Sequence, residues 1–186
     1  MKPNSTHMPD QLPDRLHLDR LNTPIGRALL VSDDDGFLRI LDWEDHEDRM
    51  RIHLRRRYGS VLLDEGRAPS PISGPLERYF AGELAALGEV PWRSEGTPFQ
   101  QRVWDELTRI PMGETISYAM LADRIGKASA VRAVGLANGA NPVSVVVPCH
   151  RVIGADGSLT GYGGGLPRKR WLLRHEGALV ETELAL

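Results

Sequence analysis

The chain has 186 residues, 41% of them hydrophobic and 26% charged, with 23 Lys and Arg against 25 Asp and Glu and one cysteine. That length holds one compact domain or two small ones, and one cysteine excludes an internal disulfide or a thiolate zinc cluster and favours a reducing, intracellular setting. The net charge of -2 argues against a uniformly basic binder of polyanions, but residues 1–99 carry -4 and residues 100–186 carry +2, so only the second half offers a weakly basic surface.

Residues 1–20 are polar and proline-punctuated and read as a flexible lead-in without a signal-peptide core. No segment is apolar for long enough to span a membrane, so the expected location is the cytoplasm. "GRALLVS" and "GFLRILDWE" flank "DDDG" and predict a β-hairpin around an acidic turn. "EDHEDRMRIHLRRRYG" has acids in its first turn, bases near its end and glycine beyond, the order that a helix dipole favours. A strand near Val61 to Leu63 and a helix through "PISGPLERYFAGELAAL" complete a small α/β unit over residues 21–94. His7, His17, His46 and His53 lack the spacing of metal ligands and read as surface residues, and the basic cluster "RIHLRRRYG" reads as a solvated face.

A second domain is expected over residues 95–186. "TPFQQRVWDELTRIPMG" opens with Thr and Pro in N-cap and N1 positions and places Phe99, Val103, Trp104, Leu107 and Ile110 on one helical face. Two short helices follow, about Tyr118 to Ile125 and Ser129 to Asn138, with "GKA" between them. The spacing fits a helix-turn-helix, although most such patterns are simply packed helix pairs. The second of these helices is made mostly of small residues, among them Ser129, Ala130, Ala133 and Gly135. They admit another backbone closely, either a neighbouring helix or a nucleic-acid strand that Arg132 could enter; on charge alone Arg132 could equally be a solvated helix residue.

The cysteine closes an apolar run, "NPVSVVVPCHRVIG", that reads as a buried strand ended by Pro148. A lone cysteine behind such a run is ordinarily a small core residue. Here it is followed by His150, by the glycine-rich stretch from Gly154 to Gly165, and by His175 and Glu176 in "RHEG". A thiol with an ordinary pKa is only a few per cent thiolate at neutral pH, so a histidine held by a carboxylate would activate it; His150 with Glu176 is the candidate pair.

"RAVGLANGANP", "VPCHRVIG", "GYGGG" and "RKRWLLRHEG", in that order, resemble the DNA repair alkyltransferases that act on O6-alkylguanine. The resemblance is close over residues 97–177, and "TPIGRALLVS", "LDWE" and "YFAGEL" extend it over most of the chain. It implies an α/β protein with a small RNase H-like N-terminal domain and a C-terminal winged-helix-like domain that carries a helix-turn-helix. It also implies a single-turnover transfer of an alkyl group, chiefly methyl, from O6 of guanine in duplex DNA, with O4 of thymine a possible second substrate.

In these terms Cys149 corresponds to the acceptor, His150 and Glu176 to its activating relay through a water, Asn141 to a brace for the turn carrying the thiol, and Tyr118 to the donor for the leaving guanine. Tyr162 corresponds to the ring against the extruded base, Gly163 offers a backbone N–H to O6, and the carbonyls of Cys149 and Val152 accept from the exocyclic amine. Arg132 corresponds to the residue that fills the base stack. No cofactor, metal or membrane is implied; the partner is DNA, and the protein is expected to be monomeric, with assembly of copies along DNA left open. Where mammalian relatives have serine after the base-stacking tyrosine this chain has Gly163, and Ser144 and Asn138 stand for proline and methionine, which predicts a roomier pocket. Three other classes compete: a binding-only lesion recogniser, which would lack the thiol; a transcriptional regulator, which would not need "PCHR"; and a thiol hydrolase, which would turn over.

Overall fold

The structure, a computed structural model, describes residues 12–179, so His7 lies outside the described residues. It divides into two compact units: residues up to Gly96 together with Pro142–Val146, and Thr97–Asn141 together with Val147 onward. The expected boundary near residue 95 is close, but the expected continuity of the second domain is corrected by the Pro142–Val146 segment. Its backbone is tied to the first unit, where Leu41 donates to the Pro142 carbonyl (2.9 Å) and Ser144 donates to the Leu41 carbonyl (3.2 Å).

The first unit is built on a four-stranded sheet of order β3-β2-β1-β4, with β1 Arg15–Thr23, β2 Gly26–Asp33, β3 Leu38–Trp43 and β4 Leu62–Glu65. β1 pairs antiparallel with β2 and parallel with β4, and β2 pairs antiparallel with β3. The β2–β3 hairpin around "DDDG" agrees with the expectation, whereas β1 overturns the flexible lead-in for Arg15 to Arg20. Leu16 and Leu18 alternate with His17 and Asp19, and both leucines are buried with Leu29, Val31 and Ile40. Helix α1, Glu47–Tyr58, adds Met50, Leu54 and Tyr58 to that core, spaced four residues apart on one face. Helix α2, Ser70–Phe80, completes the unit. His17, His46 and His53 are half-buried, and His17 and His53 contact Asp34 and Arg57.

The second unit is mainly helical. Helix α3, Pro98–Leu107, starts in a capping box in which Gln100 N–H donates to Thr97 Oγ1 and Thr97 N–H donates to Gln100 Oε1. α3 buries Val103, Trp104 and Leu107, and the Trp104 indole donates to the Ala137 carbonyl at 2.9 Å. α4, Tyr118–Arg124, is capped by Ser117, whose Oγ accepts from Met120 N–H. A 3-10 turn, Ala128–Ala130, leads into α5, Val131–Gly139, giving the expected helix pair. A two-residue parallel pair, β5 Ile116–Ser117 and β6 Val152–Ile153, and helix α6, Leu166–His175, finish the unit. Among the described residues no helix is long and apolar enough to cross a membrane, and no group of three or more His, Cys, Asp or Glu is placed to hold a metal ion.

Candidate active site

The run before Cys149 is not a strand. Val145 has φ 71°, and Val146 N–H donates back to the Ser144 carbonyl at 2.8 Å, a positive-φ γ-turn that costs a β-branched residue about 1–3 kcal/mol. Pro148 has φ -83° and ψ 62°, and Cys149 N–H donates to the Val147 carbonyl at 2.8 Å, an inverse γ-turn whose φ proline already favours. Cys149 therefore stands at a turn and opens the 3-10 helix Cys149–Arg151, rather than leaving a strand. The Asn141 carboxamide donates to the same Val147 carbonyl at 2.8 Å, which fixes the turn that presents the thiol. Cys149 is a free cysteine, and its residue is 5% exposed.

His150 is fully buried, with Nε2 3.0 Å from Glu176 Oε1. Glu176 sits at the C-cap of α6 and also accepts from Arg151 Nε at 2.7 Å and Nη2 at 2.9 Å; Arg151 Nη1 reaches the Ile110 carbonyl at 2.7 Å. Burial by itself would raise the Glu176 carboxyl, but hydrogen bonds from His150 and Arg151 outweigh it and hold the group well below the usual carboxylate range. For His150 burial prevails over the pull of Glu176 and lowers the pKa, so the imidazole rests neutral. A carboxylate on Nε2 requires the proton there and leaves the Nδ1 lone pair as acceptor; Nδ1 is buried and makes no hydrogen bond among the described residues. The pair has the form of a general base: a neutral imidazole, oriented from behind, with its basic nitrogen uncommitted.

Tyr118 lies at the start of α4 against Gly135 of α5, where an added Cβ would meet its ring at 3.8 Å. Its hydroxyl approaches the carbonyls of Thr160 (3.2 Å) and Gly161 (3.4 Å). Burial, then the nearby Cys149, raise its pKa, which keeps the phenol protonated. Tyr162 meets His150 edge to face, with ring centroids 6.4 Å apart. Asn138 is buried, its Oδ1 makes no hydrogen bond among the described residues, and its side-chain amide pulls the Tyr118 pKa down against the effect of burial. Gly163 is exposed, and Val152 is buried in β6. Ser144 is also buried, but it belongs with the first unit and not with the unit that holds the thiol. On the α5 side Arg132, Ala133 and Ser129 are exposed, while Ala130 and Gly135 are half-buried.

The chain matches the family described as 6-O-methylguanine DNA methyltransferase, DNA binding domain, over residues 98–178. It is 54% identical over 171 residues to the methylated-DNA–protein-cysteine methyltransferase of Mycobacterium bovis, covering 92% of this chain and 98% of the relative. It is 47% identical to the protein of that name from Salmonella typhimurium, over 89% of this chain and 98% of the relative. The chain belongs to the methylated-DNA–protein-cysteine methyltransferase family. A crystal structure of Mycobacterium tuberculosis OGT in complex with DNA superposes with TM-score 0.72 at 41% identity, covering 87% of this chain and 93% of that one.

Two residues of this methyltransferase-family site escape a reading of the sequence. Arg151 stands in plain sight after "PCH", but nothing in one sequence says that its guanidinium binds Glu176 through two hydrogen bonds. Lys169 sits in the basic run "RKR" and reads as a solvated helix residue, yet it is fully buried and its Nζ donates to the carbonyls of Val152 (2.5 Å) and Thr160 (2.7 Å).

Proposed function

We propose that this protein repairs DNA by moving an alkyl group, chiefly methyl, from O6 of guanine onto Cys149, once per molecule. The observation that carries this reading is the buried thiol next to a neutral His150 whose Nε2 is fixed by Glu176 and whose Nδ1 is left to accept a proton. In this scheme the Sγ–H proton passes to His150 Nδ1 through a water, and the thiolate attacks the alkyl carbon. The carbon–O6 bond breaks, and its electron pair stays with guanine. Tyr118 gives the leaving guanine a proton. The product is a thioether, which has no acyl carbonyl for water to attack, so the acceptor is consumed.

O6 is out of reach in stacked DNA, and rotating the base outward costs a few kcal/mol. Arg132 would occupy the gap in the stack, with Ser129, Ala130, Ala133 and Gly135 giving the backbone room. Tyr162 would form one wall for the extruded base, Gly163 N–H would address O6, the carbonyls of Cys149 and Val152 would accept from the exocyclic amine, and Asn138 would leave space for longer alkyl groups. Asn141 would hold the thiol's turn in place. The location that fits such a protein is the compartment that holds DNA, here the cytoplasm, with the protein acting as a monomer that can assemble along DNA.

Intact-protein mass after incubation with excess duplex containing O6-methylguanine tests the reading. The expected result is a gain of one methylene, stopping at one per molecule and mapping to Cys149, with none in Cys149→Ala although that variant still binds DNA. Transfer by Cys149→Ala, or a wild-type mass that never changes while the lesion is bound, overturns it.

A further inference from the structure

The outward face of α5 holds one side chain that the fold does not account for. Ser129, in the turn that leads into the helix, and Arg132, Ala133, Leu136 and Gly139 are all exposed, and a spacing of three and four residues sets them along one side. Ser129, Ala133 and Gly139 are small, so Arg132 and Leu136 are the two that reach outward. Leu136 is 71% exposed, more than any other large apolar residue among those described, and its side chain gains nothing from burial in the folded protein. Single exposed leucines are common on protein surfaces, but this one stands one helical turn from an arginine with no hydrogen bond or ion pair among the described residues. The stretch from Lys127 to Asn141 carries two cations and no acid, which makes this face complementary to a phosphate backbone.

We infer that Leu136 is a specificity-determining residue, an apolar wedge that opens a base step near the one Arg132 fills and so makes repair depend on the sequence flanking the lesion. Side chains at i and i+4 of a helix stand about 5–6 Å apart at Cβ, and stacked bases of one strand are about 3.4 Å apart. A helix lying along a groove with Arg132 at the lesion therefore brings Leu136 to the stack one to two base steps away. Leucine has no hydrogen bond to offer a base edge. What it offers is a branched apolar end, which parts stacked bases as apolar side chains do when they enter the minor groove. Opening a step costs least at pyrimidine–purine steps and most in stiff A-tracts, so the wedge reads deformability rather than base identity. The opened step also loosens the stack around the lesion base, which lowers the cost of rotating that base outward.

This inference rests on the proposed repair of DNA through α5, and its two readouts separate its failure from the failure of that reading. Single-turnover transfer is measured for wild type, Leu136→Ala and Leu136→Met on duplexes in which O6-methylguanine has a TA or CA step, or an A-tract, one to two base pairs away on either side in turn, and on the free base. Wild type is expected to react severalfold faster when the flexible step lies on one of the two sides. Leu136→Ala is expected to lose about tenfold on that preferred duplex and to react alike with all of them, with the free-base rate and the Tm unmoved, since an exposed side chain supports neither. Leu136→Met, which keeps an apolar end of similar reach, is expected to retain most of the rate and the preference. Equal duplex rates for Leu136→Ala and wild type, one context preference shared by both, or an equal loss on the free base overturns the inference. The second readout needs no transfer: 2-aminopurine placed at the flanking step brightens when it is unstacked. Its fluorescence is expected to rise when wild type binds the duplex and to stay low with Leu136→Ala, and an equal rise with both proteins overturns the wedge even if alkyl transfer proceeds as proposed.

Discussion

Glu176 accepts hydrogen bonds from His150 and, twice, from Arg151, all in the interior; Arg132, on the same unit, is exposed and makes no hydrogen bond or ion pair among the described residues. Under the proposed function, the contrast follows from what each region would have to do. A base that removes a proton has to be oriented before substrate arrives, because misalignment is paid at the reacting atoms. A side chain that enters a base stack needs freedom and an uncommitted charge, so fixing it in advance would oppose its use. Helix α5 accordingly turns Arg132 and small side chains outward, whereas the turn at Cys149 is held from both sides.

Breaking the interior network is expected to have the largest effect. Glu176→Gln leaves Arg151 buried without its carboxylate and should cost about 3–5 kcal/mol of folding stability, read from denaturant unfolding. The network also sets a pH dependence. The folded pKa of His150 is depressed, so the unfolded chain takes up this proton first, and stability is full above about pH 6.5 and declines below it. Glu176 acts in the same direction at lower pH: its depressed pKa gives stability that is present above the unfolded carboxyl pKa and lost as pH falls further. His53, lowered to about 4, contributes in the His150 window. The test is therefore a difference: the stability gap between pH 7.5 and pH 5 should narrow in His150→Gln relative to wild type, and an equal gap in both proteins would mean that His150 is not held neutral.

The same contrast governs what a single sequence reveals. The pairing of His150 with Glu176 is legible because the types of side chain and their order suggest it, and the structure brings the two together. Lys169 is not, since a lysine in "RKR" on a helix has the pattern of a solvated face, and only the packing of α6 shows Nζ turned to two carbonyls. The run "VSVVV" has strong β propensity, and tertiary structure overrides it with a γ-turn at Val145. β1 was available in the alternation of "LHLD" but is masked by the proline-rich residues before it. On α5 the exposed small residues are legible as a pattern, while the nature of what approaches them is not, because a helix and a nucleic-acid backbone make the same demand for space.

Two substitutions sharpen the comparison at the level of rate. Under the proposed function, Tyr118→Phe removes the hydroxyl at the Thr160 carbonyl and, with it, the proton for the leaving guanine; single-turnover transfer should then slow by about a hundredfold, the usual scale for a lost general acid. An unaltered rate would move that role elsewhere. Arg132→Ala should slow repair of duplex DNA by about tenfold to a hundredfold, matching an unstacking cost of a few kcal/mol, while leaving reaction with the free base O6-alkylguanine unchanged. Equal losses on both substrates would show that Arg132 supports the fold or the thiol and does not act on the stack.

The smallest expected effect separates orientation from activation. Asn141→Ala removes the 2.8 Å bond to the Val147 carbonyl, but that carbonyl keeps its bond from Cys149 N–H, so it is not left unsatisfied. The stability cost should accordingly stay near the net value of one hydrogen bond, about 1 kcal/mol. The turn would still form, because Pro148 favours its φ, but it would be held from one side only. If Asn141 serves orientation alone, the transfer rate should fall by a similar factor at every pH, since neither His150 nor Glu176 loses a partner. A shift in the pH midpoint of thiol alkylation would instead make Asn141 part of the activating network, and the division between a braced turn and a separately tuned base would have to be redrawn.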